Sequence, residues 1–174
     1  MNRAVQLLVD LGTRLARTAL EQRRKQANHP APPLAEHYPG DFVGLPQTSW
    51  TPERDRAGDP GEVVWAWVPY EEDHAQGKDR PVLLIGRDGD WLLGLPLTSK
   101  DHDRDAAQEA REGRYWVDIG SGAWDSQGRP SEARVDRIVR IHPSSIRRSG
   151  AALGRERFDV VVRHVMEHAS RSGL

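Results

Sequence analysis

Between Gly61 and Lys100 the chain carries three short apolar runs broken by polar turns, a spacing that fits β-strands and leaves little room for helix. Val63, Trp65 and Trp67 alternate with Val64, Ala66 and Val68 in a run rich in β-branched and aromatic residues, which predicts a strand. Residues 69–79 read as a polar loop. A continuous apolar run from Pro81 to Ile85 predicts a core strand, and Asp88-Gly89 is a hairpin signal before a third strand from Trp91 to Leu97. The loop gathers ionisable groups, His74 and Lys78, beside a strand that opens Arg80-Pro81. Such a run points to a small barrel with a site on its rim.

The rest of the chain frames this segment. Ala4, Leu8, Leu11, Leu15 and Ala19 recur at helical spacing, so residues 1–28 are expected to form an N-terminal amphipathic helix. Seven prolines make residues 29–60 a linker or arm, and Tyr38, Phe42, Leu45 and Trp50 predict that it lies partly along the domain surface. The barrel domain is expected over 61–170. Further strands are expected over 114–119 and 133–141, a charged excursion over 101–113 and a turn-rich loop over 120–130. A short helical turn follows Pro143, and a closing helix over 154–169 turns Phe158, Val161, Val162 and Val165 inward. The expected class is mainly β with helices: an SH3-like small barrel with a C-terminal helix and an N-terminal helical extension.

Bulk composition narrows the function classes. Lysine and arginine number 25 against 26 aspartates and glutamates. The chain therefore lacks a strongly basic footprint, and any polyanion site must be a local patch. There is no cysteine, which excludes disulfides, thiolate metal sites and cysteine nucleophiles and fits a reducing cytoplasm. No apolar run is long enough to span a bilayer, and Arg3, Asp10, Arg14 and Arg17 interrupt any signal-peptide core.

Four constellations could carry chemistry. His74, Lys78 and Arg80 form the first. Arg134 and Asp136, two apart on a predicted strand, share a face opposite Val135, where the arginine would keep the carboxylate ionised. Thr98-Ser99-Lys100 places hydroxyls and a cation at a strand end, suited to a phosphate. His164, Glu167 and His168 match an H-x-x-E-H zinc pattern, but they stand at the end of the chain with no third ligand following. They read better as solvent-facing residues near a helix C-terminus. Asp101-His102-Asp103 reads as a solvated loop. No metal or cofactor is expected.

From Gly61 to about Ala169 the order and spacing of these pieces resemble the MazF/PemK/Kid family, the toxin components of bacterial type II toxin–antitoxin pairs. The matching pieces are Gly61-Glu62-Val63-Val64-Trp65, Arg80-Pro81-Val82-Leu83-Leu84-Ile85, Pro96-Leu97-Thr98-Ser99, and Arg134 through Ile141. The resemblance implies an SH3-like barrel, usually a homodimer, acting as a metal-independent endoribonuclease on single-stranded RNA and inhibited by a cognate antitoxin. It implies a catalytic set of His74, six residues before Arg80, with Arg80, Thr98, Arg134 and Asp136. RNA contacts are expected from Gln76, Lys78, Ser99, Lys100 and Arg137. Two departures stand out: Gln76-Gly77-Lys78-Asp79 replaces a longer Gly/Gln-rich run, and Arg137 follows Asp136 where Gln or Pro is usual.

Metal-free RNA cleavage would use Asp136 as base for the 2′-hydroxyl, His74 as proton source, Arg80 and Arg134 as electrostatic stabilisers, and Thr98 and Ser99 to orient the phosphate. The alternative is a non-catalytic module of the same barrel, either a contact poison of DNA gyrase or a degenerate scaffold. The N-terminal arm is expected to dock on the barrel or to cover its groove.

Overall fold

The computed structural model describes residues 38–53, 58–99, 111 and 113–171. The expected helix of residues 1–28, Lys100 and residues 101–110 lie outside them. Among the described residues the chain runs β1 (Glu62–Pro69), β2 (Gly77–Asp88), β3 (Trp91–Thr98), β4 (Trp116–Gly120), β5 (Ser131–Arg134), β6 (Val139–Ile141), a 3-10 turn (Pro143–Ser145), β7 (Ile146–Ala152) and α1 (Arg155–Arg171). The sheet order is β4-β5-β3-β2-β1-β7, with β6 also pairing with β3. The resolved pairings are antiparallel.

The middles of the three central strands, Val63–Val68, Val82–Ile85 and Leu92–Leu97, are largely apolar because both of their faces are buried. Val63 of β1, Leu83 and Ile85 of β2, and Leu93, Leu95 and Leu97 of β3 join one core with Ile119, Trp124, Ala133 and Val135. The alternate residues, Val64, Ala66, Val68, Val82, Leu84 and Leu92, join a second core closed by Val139, Ile141 and the half-buried Ile146. Period-two alternation thus feeds two cores, and the sheet curls around them as a partial barrel. Helix α1 covers the first core with Phe158, Val161 and Val165. Glu156 in its first turn and His168 and Arg171 in its last match the helix dipole.

Three elements differ from the sequence expectation. β2 starts at Gly77, four residues before Pro81, because polar residues 77–80 pair along β1 through Pro69↔Gly77 and Ala66↔Arg80. The expected strand 133–141 is two strands: β5 pairs with Leu97 and Thr98 at one end of β3, while β6 pairs with Leu92 to Gly94 at the other. The chain must bend over 135–138 to reach both. The residues after the 3-10 turn form β7, which pairs with the edge of β1.

The described part of the proline-rich stretch, 38–53, lies as a strap on the barrel. Phe42 bridges to Ile138 and Thr48 to Gly86. Trp50 donates its indole N–H to the Leu153 carbonyl at 3.0 Å. At Gly86 the register of β2 against β3 shifts, and the strap passes so close that a Cβ there would collide with the Gln47 carbonyl.

Candidate active site

The site is built at the barrel end where β2 begins and β3 and β5 finish. Lys78 and Arg80 enter from β2, Thr98 from the end of β3, Arg134 from the end of β5 and Trp116 from the start of β4. With Arg114, Arg137, Val68, Pro96 and the loop residues Pro69 to Glu72 they line one cleft of about 510 Å³. The strand ends meet here because Val68 pairs with Lys78, Thr98 with Glu132, and Trp116 with Arg134.

Arg134 is held by two carboxylates. Its Nε and Nη2 donate to Asp136 Oδ2 at 2.9 and 2.7 Å. Its Nη1 and Nη2 donate to Glu71 Oε2 and Oε1 at 2.9 and 3.4 Å. Burial opposes its charge, but the hydrogen bonds and charges of Asp136 and then Glu71 prevail and raise its pKa. Asp136 accepts three hydrogen bonds: Oδ2 takes both bonds from Arg134, and Oδ1 takes the Tyr115 backbone N–H at 2.7 Å. Arg134 closes β5, and Asp136 lies in the bend beyond it. The two side chains still meet.

Lys78 and Arg80 differ from Arg134. Among the described residues neither forms a salt bridge. Burial lowers the pKa of Arg80; Tyr70 partly offsets this, and the charges of Arg137 and Arg134 add to it. Burial and then the Arg80 charge lower Lys78. Cations sit close enough in a half-buried cleft to disfavour one another, an arrangement that an incoming anion relieves.

Arg137 lines the cleft wall, yet its guanidinium is committed. It is 9% exposed. Nε donates to Asp41 Oδ2 at 2.6 Å, and Nη2 donates to Asp41 Oδ1 and to the Pro69 carbonyl at 3.3 and 2.9 Å. It supplies a fixed background charge.

The structure brings Lys78, Arg80, Thr98, Arg134 and Arg137 together in the cleft, with Asp136 behind Arg134. His74 is not among the lining residues. Its ring packs edge-on against Tyr38, with centroids 5.0 Å apart. The Gln76 side chain closes its own loop by donating to Asp73 Oδ2 at 2.7 Å. Ser99 is exposed beyond β3 and does not line the cleft. Sequence reasoning missed Glu71, Glu72, Arg114 and Trp116 as lining residues, and Asp41 as the partner of Arg137. Glu71 and Glu72 adjoin a predicted strand end, but periodicity assigns no partner to a loop carboxylate.

Among the described residues no group of three or more His, Asp or Glu is placed to share a metal ion. In the H-x-x-E-H stretch, His164 Nδ1 lies 3.8 Å from Glu167 Oε2. With His168 these residues edge a separate groove beside Tyr115, Trp116 and Val117. No helix of the described residues is long and apolar enough to cross a membrane.

A curled antiparallel sheet with a C-terminal helix packed on its core, and a cleft at its rim lined by several cations, defines a small barrel protein. The family model for PemK-like, MazF-like toxin of type II toxin-antitoxin system matches residues 59–169, and the chain belongs to this family. The match spans the barrel and leaves out the strap. Among solved structures, MazE-MazF (Form-II) from Deinococcus radiodurans is 19% identical, covering 69% of this chain and 99% of that chain, with a TM-score of 0.44. The toxin MazF-mt6 of Mycobacterium tuberculosis is 16% identical, covering 63% of this chain and 96% of that chain, with a TM-score of 0.41. No curated protein matches the chain.

Proposed function

We propose that this toxin is an endoribonuclease that cuts single-stranded RNA at the cationic cleft, without metal. The observation that carries the reading is the group of Lys78, Arg80, Arg134 and Arg137 in one cleft, where Lys78 and Arg80 have depressed pKa values and no salt bridge among the described residues. A phosphodiester supplies the missing counter-charge, and membership of a family whose toxins are generally endoribonucleases favours RNA as its source.

In this reaction the 2′-hydroxyl oxygen attacks the adjacent phosphorus and the bond to the 5′-oxygen breaks. One proton leaves the 2′-oxygen and one reaches the 5′-oxygen, giving a 2′,3′-cyclic phosphate and a 5′-hydroxyl. Arg80 and Arg134 face the charge that builds on the non-bridging oxygens, and Thr98 orients them. Asp136 acts through Arg134. It already accepts three hydrogen bonds and is not among the residues that line the cleft, so we assign it to positioning rather than to the base role expected from the sequence. His74, delivered by the loop that borders the cleft, takes the 2′-hydroxyl proton on its neutral imidazole and returns a proton to the 5′-oxygen as the leaving group departs. Gln76 and Ser99 flank the path of the strand.

The working form is a homodimer in the cytoplasm, held inactive by a cognate antitoxin. The Deinococcus radiodurans structure shows MazF with MazE. The test is incubation of purified protein with mixed-sequence RNA in EDTA, followed by analysis of product ends. Cyclic-phosphate ends from the wild type and none from Arg80→Ala support the reading. Intact RNA, with growth arrest in cells, returns the protein to a non-catalytic contact poison.

A further inference from the structure

We propose that Glu71 is a latch that occupies the seat of the substrate phosphate on Arg134, and that phosphate binding displaces it and frees the loop carrying His74. The proposal rests on the reading of the cleft as a phosphodiester site.

Arg134 has two carboxylate partners of opposite character. The Asp136 side chain is 6% exposed and takes the Nε–Nη2 edge. The Glu71 side chain is 57% exposed and takes the Nη1–Nη2 edge. A guanidinium offers two oxygens a planar fork, and a phosphate fits that fork as a carboxylate does. Glu71 and Arg134 both line the cleft, so the Glu71 carboxylate marks where two phosphate oxygens would lie.

The exchange favours the phosphate. An exposed ion pair is weak. A phosphate on the same fork also meets Arg80 and Lys78, which line the same cleft and form no salt bridge among the described residues. Glu71 gives up one weak partner, and the anion gains several.

The loop is built to move as a piece. Tyr70 N–H donates to the Gln76 carbonyl at 2.8 Å, closing its neck. Asp73 accepts from Ala75 N–H at 3.0 Å and from the Gln76 side chain at 2.7 Å, bracing its tip. Its outward ties include the Glu71–Arg134 pair and the His74–Tyr38 ring contact, with the Pro69 carbonyl anchored by Arg137 at its base. Once Glu71 leaves Arg134, the edge contact with Tyr38 is what keeps His74 away from the cleft. This accounts for the position of His74 outside the cleft in the latched state.

The experiment compares the full-length protein with Glu71→Gln, using a single-stranded 2′-deoxy oligonucleotide, which binds without being cut. Oligonucleotide affinity is read by fluorescence anisotropy, RNA cleavage is read separately, and thermal melts confirm that both proteins are folded. The latch requires roughly two- to fivefold tighter oligonucleotide binding by Glu71→Gln, the range of one exposed ion pair. It also requires kcat/KM for RNA to rise by a similar factor. Equal or weaker binding overturns it. A collapse of kcat at unchanged affinity also overturns it and makes Glu71 the base. If Glu71→Gln binds the oligonucleotide more tightly while neither protein cuts RNA, the latch stands and the nuclease reading falls.

Discussion

Arg134 donates twice to a single oxygen of Asp136, from Nε at 2.9 Å and from Nη2 at 2.7 Å. The pair is largely withdrawn from solvent, with side chains 12% and 6% exposed. Geometry of this kind fixes the direction of a guanidinium, and it makes the pair unequal to loss of one member.

Asp136→Asn is expected to lower stability by about 1 to 3 kcal/mol, since it removes the buried partner of Arg134 and leaves the cation with the exposed Glu71. The double variant Arg134→Met/Asp136→Leu should recover most of that stability while remaining unable to cut RNA. Denaturant titration and an end-product assay measure the two effects. A double variant as unstable as Asp136→Asn would show that the pair does more for the fold than balance its own charges.

Arg80→Ala should separate activity from stability. Removing one charge-stabilising donor costs about 100- to 1,000-fold in kcat. Burial and the neighbouring arginines disfavour the Arg80 charge in the folded protein. The melting temperature should therefore hold or rise. A marked fall in melting temperature would mean that Arg80 supports the fold.

Binding of an anion should be linked to protons through Lys78. Burial and Arg80 hold its pKa below the ordinary lysine value, and a bound phosphate favours the ammonium and raises it again. Affinity is then greatest below the pKa of the free protein, and it declines as pH rises through the interval to the pKa of the complex. Calorimetry in alkaline buffers of different ionisation enthalpy should show proton uptake on oligonucleotide binding, absent in Lys78→Arg. No uptake in the wild type would place Lys78 away from the phosphate.

The strap should matter to the barrel although the family match begins at residue 59. Asp41 neutralises Arg137, whose side chain is 9% exposed, so Asp41→Asn should cost about 3 kcal/mol. A chain starting at residue 59 also loses the Trp50 hydrogen bond to Leu153 and should melt below the full-length protein. Equal melting would show that the strap only rests on the surface.

Much of the barrel was legible in the sequence because a curled sheet with two cores needs continuous apolar strands, and β1, β2 and β3 carry them. The inner face of α1 was legible for the same reason: Phe158, Val161 and Val165 recur at helical spacing and are buried. Strand β7 was not. Its residues, Ile146-Arg-Arg-Ser-Gly-Ala-Ala152, have weak strand preference, and they are extended because the edge of β1 offers unpaired backbone groups. Nor does alternation show where a strand must break. The bend at 135–138 exists because both ends of β3 need partners.

The cleft divides along the same line. The Arg80-Pro81 step, the Thr98 strand end and the Arg134–Asp136 spacing are local patterns that the sequence itself displays, although β2 begins earlier, at Gly77. Only the tertiary structure decided which carboxylate each cation meets. Asp41 reaches Arg137 across 96 residues, and Glu71 reaches Arg134 across 63. It also decided that the loop between β1 and β2, whose charges first pointed to a rim site, rests with His74 on Tyr38 and Glu71 in the cleft. Periodicity records which faces avoid water. It carries no information about which distant charge satisfies another, because that depends on how the sheet curls and how loop and strap close over its end.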